Sequence, residues 1–556
     1  MKIPGYIFFL LIVPLMFDAC SKDKKPVTPP PVTTSSFGFG GLKVNGVYNG
    51  SVYKGVNLKP VIRISFTAAL NVNSVSNSIT FTGKDGSTVN YTSAYDNHDS
   101  TIIITPPVLQ PLTQYTVSVS TNLKSTSNAV LQSPFSVQLT TAIDSTDKFP
   151  RISDDALLDL VQRQTFKYFW DFGHPVSGLA RERNTSGDVV TMGGSGFGIM
   201  AIVAATNRNF ITRAQALARL QTIVGFLKNT AQTFHGAYPH WMNGATGVVV
   251  PFSTQDDGAD IVETAYLMEG LLTARQYFNG ASADETNLRS DINTIWNRVE
   301  WDWFRQNGQN TLYWHWSPDY GWSTGVQVNG WDEALITYIM AASSPTHSIP
   351  KIVYDNGWAL NGQIRNGNTY FGVKLPLGPP EGGPLFFAHY SFLGINPNGL
   401  TDNYAAYDTQ NKAHSMINYD YCAANVKGYY GYSADCWGLT ASDINGGYTA
   451  SSPTNDVGVI APTAAISSLP YTPAQSMAAL RFFYYKLGDK LWGQYGFYDA
   501  FDLDSPWFAT SDLAIDEGPI IDMIENYRSG LLWNLFMSCP EIKTGMKNLG
   551  FQSPNL

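Results

Sequence analysis

Residues 255–274 read QDDGADIVETAYLMEGLLTA, and this stretch decides the fold of the larger part of the chain. Its apolar residues recur at the three- and four-residue spacing of a helix, so we predict a helix over 258–279. On that helix Asp256, Asp260 and Glu263 fall at i, i+4 and i+7 and share one face. The same face continues with apolar residues, which predicts that the three acids point inward rather than into bulk water.

Two further helices are predicted to begin with acids. Trp331-Asp332-Glu333 leads into one apolar run, and Asp516-Glu517-Gly518-Pro519 leads into another, with a proline suited to a first helical turn. The helix dipole stabilises a single acid at this place by about 0.3–1 kcal/mol, which is a purely structural explanation. Three acids on one face repel each other, so their clustering predicts a cleft. Glycosidic hydrolysis needs one carboxyl that stays protonated and a second that stays ionised.

The chain beyond Pro150 is predicted to be mainly α. Helical spacing follows the capping residues Ser153 and Thr212, and about a dozen helical stretches alternate with long loops rich in glycine, proline and aromatic residues. We therefore predict an (α/α)6 toroid over 150–556, in which six helical hairpins close into a ring. A less regular helical array is the alternative.

Residues 37–145 alternate polar and apolar residues with a period near two, which is typical of strands. Arg63-Ile64-Ser65-Phe66 and Tyr115-Thr116-Val117-Ser118-Val119 are examples, and turn signals lie between such runs. Several short strands at this spacing predict a small all-β sandwich. The segment resembles bacterial immunoglobulin-like (Ig-like) modules of surface proteins, and we interpret it as a spacer or packing module.

The composition excludes several classes of protein. The 556-residue chain has a formal net charge of −9, and 14% of its residues are charged, against about 25% in an average soluble protein. Low charge and abundant aromatics exclude a coiled coil or a disordered acidic chain, and the acidic balance argues against nucleic-acid binding. All tryptophans lie beyond residue 150. Cys422 and Cys436 could form a disulfide in an oxidising compartment.

The chain opens with Lys2, a mostly apolar run over 6–17, and then Asp18-Ala19-Cys20. The run is shorter than the ~20 residues of a transmembrane helix and fits a signal peptide over 1–20. A cysteine just past a small residue resembles a bacterial lipoprotein cleavage site, so we predict lipidation of Cys20; an ordinary signal peptide is the alternative. A proline-rich tether follows over 21–36. We expect an exported protein, either in the periplasm or anchored to the outer membrane as a lipoprotein.

Loops dense in flat rings are expected to bind substrate, because aromatic faces pack on the apolar faces of sugar rings. Arg181, Glu182 and Arg183, ahead of the glycine-rich run over 193–198, could add hydrogen bonds to sugar hydroxyls. That run lacks the ending of a phosphate loop, and the histidines do not fall at a zinc-site spacing. The predicted substrate-binding residues are Arg181, Trp241, Trp314, His315, Trp316, His389 and Tyr390.

Several stretches beyond residue 150 resemble the glucoamylase-like domain of Bacteroidota, and within it the endo-β-1,2-glucanases of glycoside hydrolase family 144. These stretches are residues 255–272, 312–318, 387–394, 437–443, 462–465 and 524–533. The resemblance implies an (α/α)6 toroid without a metal or other cofactor. It also implies hydrolysis of β-1,2-linked glucose chains with inversion at the anomeric carbon.

The same resemblance implies that the essential acids are Asp256, Asp260, Glu263, Glu333 and Asp516. We expect Glu333 to be the general acid and Asp516 to act on the base side, directly or through a relay. The other three acids then hold the sugar or tune the pKa values of this pair.

Three alternatives stay open. The first is an exo-acting β-glucosidase or sophorose-releasing enzyme on the same fold. The second is a polysaccharide lyase, which the charge of −9 disfavours because lyases acting on uronates tend to need basic clefts. The third is a non-catalytic glycan-binding lipoprotein. We expect a β-glucan as partner, no nucleic acid, membrane contact only through a lipid anchor, and a monomer.

Overall fold

The structure, a computed structural model, describes residues 36–556. The predicted signal peptide over 1–20, its Cys20 and nearly all of the tether over 21–36 lie outside the described residues. A strand-rich part precedes a helical part, as the change of period near residue 150 predicts. Within residues 36–556 no helix is long and apolar enough to cross a membrane.

The strand-rich part consists of two four-stranded sheets that share one apolar core. Its strands are β1 (Phe39–Val44), β2 (Val52–Val56), β3 (Ile62–Phe66), β4 (Ile79–Gly83), β5 (Thr92–Asp96), β6 (Thr101–Thr105), β7 (Gln114–Val119) and β8 (Phe135–Thr141). The sheet orders are β1-β3-β6-β5 and β2-β8-β7-β4, with β2 and β8 parallel. Every second side chain of β7 is buried, which is the predicted period of two.

The helical part contains eleven α-helices of seven or more residues within the described chain. They are α1 (Asp154–Trp170), α2 (Met192–Asn207), α3 (Arg213–Asn229), α4 (Ile261–Tyr277), α5 (Ala283–Asn297), α6 (Leu335–Ser343), α7 (Tyr407–Ala424), α8 (Pro473–Leu491), α9 (Ala514–Ser529), α10 (Leu531–Met537) and α11 (Pro540–Leu549). Ser153 caps α1 through a side-chain hydrogen bond, and Thr212 forms a capping box on α3. Both capping predictions are confirmed.

Helix α2 lies inside this part and is buried on all sides. Every residue from Met192 to Thr206 is buried, which is the pattern of a helix surrounded by other elements. It packs against α1, α4 and α9. The close approach to α4 depends on Gly196 and Gly270, because a Cβ atom at either glycine would lie 2.2 Å from a backbone oxygen of the other helix.

Helix α4 begins at Ile261, later than predicted, and this changes the geometry of the acids before it. Asp260 is the N-cap residue, and its carboxylate accepts hydrogen bonds from two backbone N–H groups of the first turn, each at 2.9 Å. Asp256 lies upstream in a turn that pairs with Ser253. The prediction that Asp256, Asp260 and Glu263 share one helical face is therefore wrong, because an N-cap residue has a non-helical backbone.

Three smaller expectations also change. Helix α9 begins at Ala514, so Pro519 lies inside the helix rather than in its first turn. Gly530, at φ 67°, separates α9 from α10 where a single helix over 518–538 was predicted. Cys422 and Cys436 are both buried and free, so the possible disulfide is not formed.

Candidate active site

The N-terminal ends of four helices open onto one cavity of about 460 Å³. Thr191 lies directly before α2, Glu263 in the first turn of α4, Glu333 before α6 and Leu513 directly before α9. All four residues line the cavity. Because backbone N–H groups at helix starts favour negative charge, this is a suitable place for several acids.

Two histidines hold the acids around the start of α4. His240 Nδ1 lies 3.2 Å from Asp260 Oδ2 and 3.7 Å from Asp256 Oδ2. His315 Nε2 lies 3.4 Å from the same Asp256 oxygen and 3.5 Å from the same Asp260 oxygen. His240 Nε2 also lies 4.0 Å from Glu263 Oε1. These five residues, the histidine–acid cluster, bring the three predicted acids together although they do not share a helical face.

Charge is divided unevenly within the histidine–acid cluster. Burial acts to raise the pKa of Asp260, but hydrogen bonds from His240 and His315 prevail and hold that pKa well below its ordinary value. Burial acts to lower the pKa of His240, but Glu263, Asp256 and Asp260 raise that pKa well above its ordinary value. Asp260 is therefore ionised and His240 protonated at neutral pH.

The same cluster contains the atoms among the described residues that come closest to a metal-ligand set. His240, Asp256 and Asp260 each offer one ligand atom, and these atoms lie within 4.8 Å of one another. Asp256 Oδ2 and Asp260 Oδ2 each already contact both His240 and His315, which suits a network of ion pairs.

Glu333 is the carboxyl whose environment best suits proton donation into the cavity. It lies in the turn before α6, where its backbone carbonyl accepts hydrogen bonds from the hydroxyl of Tyr266 at 3.2 Å and from the hydroxyl of Ser391. Burial raises the pKa of Glu333 to about 7, and the charges of Glu263 and Asp260 act in the same direction. A carboxyl with this pKa keeps a proton near neutral pH and can deliver it.

Glu263 is positioned by the start of α2. Its Oε2 accepts hydrogen bonds from the backbone N–H of Gly193 at 2.6 Å and from the hydroxyl of Thr191 at 3.4 Å. A Cβ atom at position 193 would lie 2.7 Å from that oxygen, so the contact depends on glycine. Burial raises the pKa of Glu263, while His240 acts to lower it.

A second acidic group surrounds Asp516 in the first turn of α9. Asp516 is 3% exposed, and Asp499 is the acid that acts most strongly on it. Burial, followed by the neighbouring Asp499, raises the pKa of Asp516 well above its ordinary value. Burial also raises the pKa of Asp499 to about 7. Ionisation of Asp499 therefore disfavours ionisation of Asp516.

Arg183 supplies positive charge beside this pair. Its guanidinium forms ion pairs with Glu182 at 3.0 Å and with Asp443 at 3.3 Å. The backbone N–H of Asp443 in turn donates to Asp499 Oδ2 at 2.6 Å. The second acidic group is thus one connected network that reaches the cavity through Glu182 and Arg183.

Aromatic side chains form the walls of the cavity. Trp241, Trp314 and Tyr390, which the sequence predicts as substrate-binding residues, all line it. Trp314 Nε1 donates to Asp260 Oδ2 at 3.3 Å, and Trp241 packs edge-on against Phe252 with ring centroids 4.8 Å apart. Flat rings beside hydrogen-bonding acids are a suitable surface for a sugar.

Four predicted substrate-binding residues do not line the cavity. His315 contacts Asp256 and Asp260 in the histidine–acid cluster. The Arg181 guanidinium donates to two backbone carbonyls at 2.8 Å. Trp316 packs edge-on against a neighbouring tryptophan at 5.3 Å. His389 is 2% exposed and hydrogen-bonds to a buried serine, and burial lowers its pKa to about 3. The structure places these predicted substrate-binding residues outside the cavity, because each side chain makes other contacts within the fold.

Glu182 and Arg183, which the sequence analysis names beside Arg181, do line the cavity. Three residues of the site were not selected from the sequence, namely His240, Asp443 and Asp499. A local signal existed for His240, which precedes Trp241 in an aromatic loop. Asp499 has no such signal, because only the tertiary structure brings it to Asp516.

Family models and known proteins match most of this chain. The family model described as "Putative glucoamylase" matches residues 325–540, a bacterial Ig-like domain model matches 42–141, and a model for a protein of unknown function matches 161–303. An endo-β-1,2-glucanase structure from Chitinophaga pinensis, in complex with sophorotriose and glucose, is 50% identical. The alignment covers 73% of this chain and 100% of that chain, with a TM-score of 0.71. This chain belongs to the glucoamylase-like family.

The glucoamylase-like chain is also similar to two proteins from Parabacteroides distasonis. A β-1,2-glucanase structure is 37% identical and covers 93% of this chain and 73% of that chain, with a TM-score of 0.70. An exo-β-1,2-glucooligosaccharide sophorohydrolase (non-reducing end) is 45% identical over 421 residues, which are 72% of this chain. The matched region spans 58% of that relative, less than two thirds of its length.

Proposed function

We propose that this glucoamylase-like protein is a glycoside hydrolase that cleaves β-1,2-linked glucan. The observation that carries the proposal is Glu333, which lines the cavity and whose pKa burial raises to about 7. The buried acids Asp516 and Asp499 lie behind the cavity wall and are linked to it through Asp443 and Arg183. A proton donor and a carboxylate base are the two groups that glycosidic hydrolysis requires. Relatives that are β-1,2-glucanases support the substrate class.

In the proposed mechanism Glu333 donates its proton to the glycosidic oxygen while the bond to the leaving sugar breaks. Asp516 and Asp499 accept the proton of the attacking water, directly or through a relay. Attack from the opposite face inverts the anomeric carbon. Asp260 is fully buried and acts through its charge, which together with that of Glu263 helps to raise the pKa of Glu333. His240 orients the Asp260 carboxylate.

We propose endo action, with exo action that releases sophorose as the second candidate. A second cavity adjoins the first, and Arg183 lines both. A cleft that continues past the reacting groups supports binding of internal segments of a long glucan. The 45% identity to the sophorohydrolase supports the exo candidate.

We infer that the helical part is an (α/α)6 toroid. Helix α9, near the end of the chain, packs against α1 at its beginning, as closure of a ring requires. Helices α2, α4 and α6 pack in sequence inside the fold, and the cavity lies at their N-terminal ends.

We further propose that the protein is exported, that Cys20 is lipidated and that the chain is monomeric. The apolar run over 6–17 followed by Asp18-Ala19-Cys20 supports export and lipidation. Labelling of cells with a fatty-acid analogue tests the anchor: the wild type should become labelled and Cys20→Ala should not. Equal labelling of both would contradict it.

Product analysis of the purified protein on linear β-1,2-glucan tests the function. Short oligomers of mixed size support endo action, whereas sophorose alone supports the exo candidate. Glu333→Gln should abolish product formation, and Glu300→Gln, a half-exposed glutamate paired with His235, is the matched control. Products from α-1,4- or β-1,3-glucan but none from β-1,2-glucan would overturn the substrate. If the wild type shows no turnover and Glu333→Gln has the same properties as the wild type, a non-catalytic glycan-binding protein is favoured.

A further inference from the structure

A short hairpin connects the acids of the second group. Its strands, Phe501–Asp502 and Trp507–Phe508, pair antiparallel, and the rings of Phe501 and Phe508 stack with centroids 5.8 Å apart. Asp499 lies directly before the hairpin, and its backbone N–H donates to the carbonyl of Ser511 beyond it at 2.9 Å. Helix α9, which carries Asp516, begins at Ala514 shortly beyond the hairpin.

The hairpin also forms one wall of the second cavity, which has a volume of about 360 Å³. Trp507 and Phe508 line this cavity, together with Asp443 and Arg183. The Trp507 side chain is half-buried and pairs with no other aromatic ring of the described residues. A flat ring next to charged hydrogen-bonding groups suits the apolar face and the hydroxyls of a glucose unit.

The tip of the hairpin is held by the Ig-like domain. Lys54 Nζ of β2 donates to the two carboxylate oxygens of Asp504 at 2.6 and 2.5 Å. The backbone N–H of Tyr430 donates to Asp504 at 2.8 Å. The hydroxyl of Tyr430 accepts a hydrogen bond from the N–H of Ile143, which follows β8, at 3.1 Å. Asp504 is thus joined to both ends of the Ig-like domain.

Packing at this contact is close. A Cβ atom at Gly55, which has a φ of 63°, would lie 2.7 Å from the ring of Tyr430. Leu112 of the Ig-like domain is buried in an apolar cluster whose other buried residues lie in the helical part. The Ig-like domain is therefore docked against the helical part and is not a freely hanging spacer.

From this geometry we propose that the Ig-like domain helps to form the glucan-binding cleft. By holding Asp504 through Lys54 it sets the position of the hairpin, and Trp507 on that hairpin forms a distal binding site for a glucose unit of a long β-1,2-glucan. The inference rests on the proposed function for its ligand, whereas the mechanical link between Lys54 and the hairpin is independent of it.

Chain-length dependence tests the inference in the full-length protein. KM is measured on long β-1,2-glucan and on the shortest oligomer that is cleaved, for Trp507→Ala, Lys54→Glu and Lys54→Arg. We expect Trp507→Ala and Lys54→Glu to raise KM for the long glucan about 3–10-fold, the effect of losing one stacked ring, and to leave the short oligomer within twofold. Lys54→Arg should behave as wild type because it keeps the ion pair.

Lys43→Met is the matched control, since Lys43 is an exposed lysine of β1 without an ion pair in the described residues. Hydrogen exchange of residues 501–511 gives a readout that needs no substrate, and it should increase in Lys54→Glu and stay unchanged in Lys43→Met.

The outcomes separate this inference from the proposed function. A wild type that cleaves β-1,2-glucan, with variants that match it on both chain lengths and in hydrogen exchange, overturns the inference alone. A wild type that does not cleave β-1,2-glucan overturns the proposed function and the sugar site at Trp507. Increased exchange in Lys54→Glu would in that case still support the link from the Ig-like domain to the hairpin.

Discussion

Replacement of Glu333 by glutamine removes the proton donor but keeps the shape of the side chain. With a pKa of about 7, about 90% of molecules hold this proton at pH 6, against about 3% for an ordinary glutamic acid. Well above pH 7 the protonated fraction falls about tenfold for each further pH unit. We therefore expect kcat/KM of the wild type to fall on the alkaline side with an apparent pKa near 7.

The loss in Glu333→Gln should be at least ~10²-fold in kcat, because general acid catalysis contributes about 10²–10⁴-fold. The assay is the release of reducing ends from linear β-1,2-glucan across the pH range, with Glu300→Gln as the control. Residual activity of Glu333→Gln should lack the alkaline fall, since the titrating group is gone. A substrate whose leaving group needs no proton should recover much of the lost rate.

Two results would refute this reasoning. A Glu333→Gln enzyme with the wild-type rate would show that Glu333 donates no proton. A slow variant that keeps the alkaline fall would assign that fall to another group, for which Asp512 is the next candidate because burial raises its pKa to about 7.

Four further predictions concern the base side, the pH dependence of stability, helix packing and metals. Asp516→Asn should lower kcat at least ~10²-fold while the exposed Asp435→Asn does not, and equal rates would contradict the base-side role. Between about pH 4.5 and 7 Glu333 is still protonated in the folded state but already ionised in the unfolded chain, so the free energy of unfolding falls as pH rises through this range. Thermal unfolding should therefore show Glu333→Gln to be more stable than wild type at pH 8 but not at pH 4. Gly196→Ala should destabilise the fold by about 1–3 kcal/mol because its Cβ meets a backbone oxygen. Gly225→Ala, with open space around its Cβ, should stabilise by about 0.5–1 kcal/mol in urea unfolding. A chelator should leave turnover unchanged, and a loss restored by one divalent ion would contradict the assignment of the histidine–acid cluster as ion pairs.

The class of each element could be predicted because its signals are local. Alternation along β7 and the caps at Ser153 and Thr212 lie within a few residues of the elements that they specify. Boundaries at functional sites were less predictable. Residues 256–263 do have helical spacing. The carboxylate of Asp260 accepts hydrogen bonds from N–H groups of the first turn, however, so α4 begins only after Asp260.

The candidate site could be predicted in part. Glu333, Asp516 and the three acids before and within α4 were selected from their positions at helix starts and from a family resemblance. His389 and Trp316 were also selected, because an aromatic loop motif does not reveal which rings turn toward the interior. The fold buries His389 and packs Trp316 against Trp303. Trp314 is as half-buried as Trp316, but it lines the cavity.

By itself the sequence determined a strand-rich part followed by a helical part, and the acids and rings among which the chemistry lies. Only the tertiary structure decided which acids keep a proton and which carry charge. Asp499 and Asp516 are separated by a hairpin, and His240 reaches Asp260 from another loop. The pKa of a carboxyl depends on its burial and on the charges within a few ångströms, and both follow from how distant segments pack.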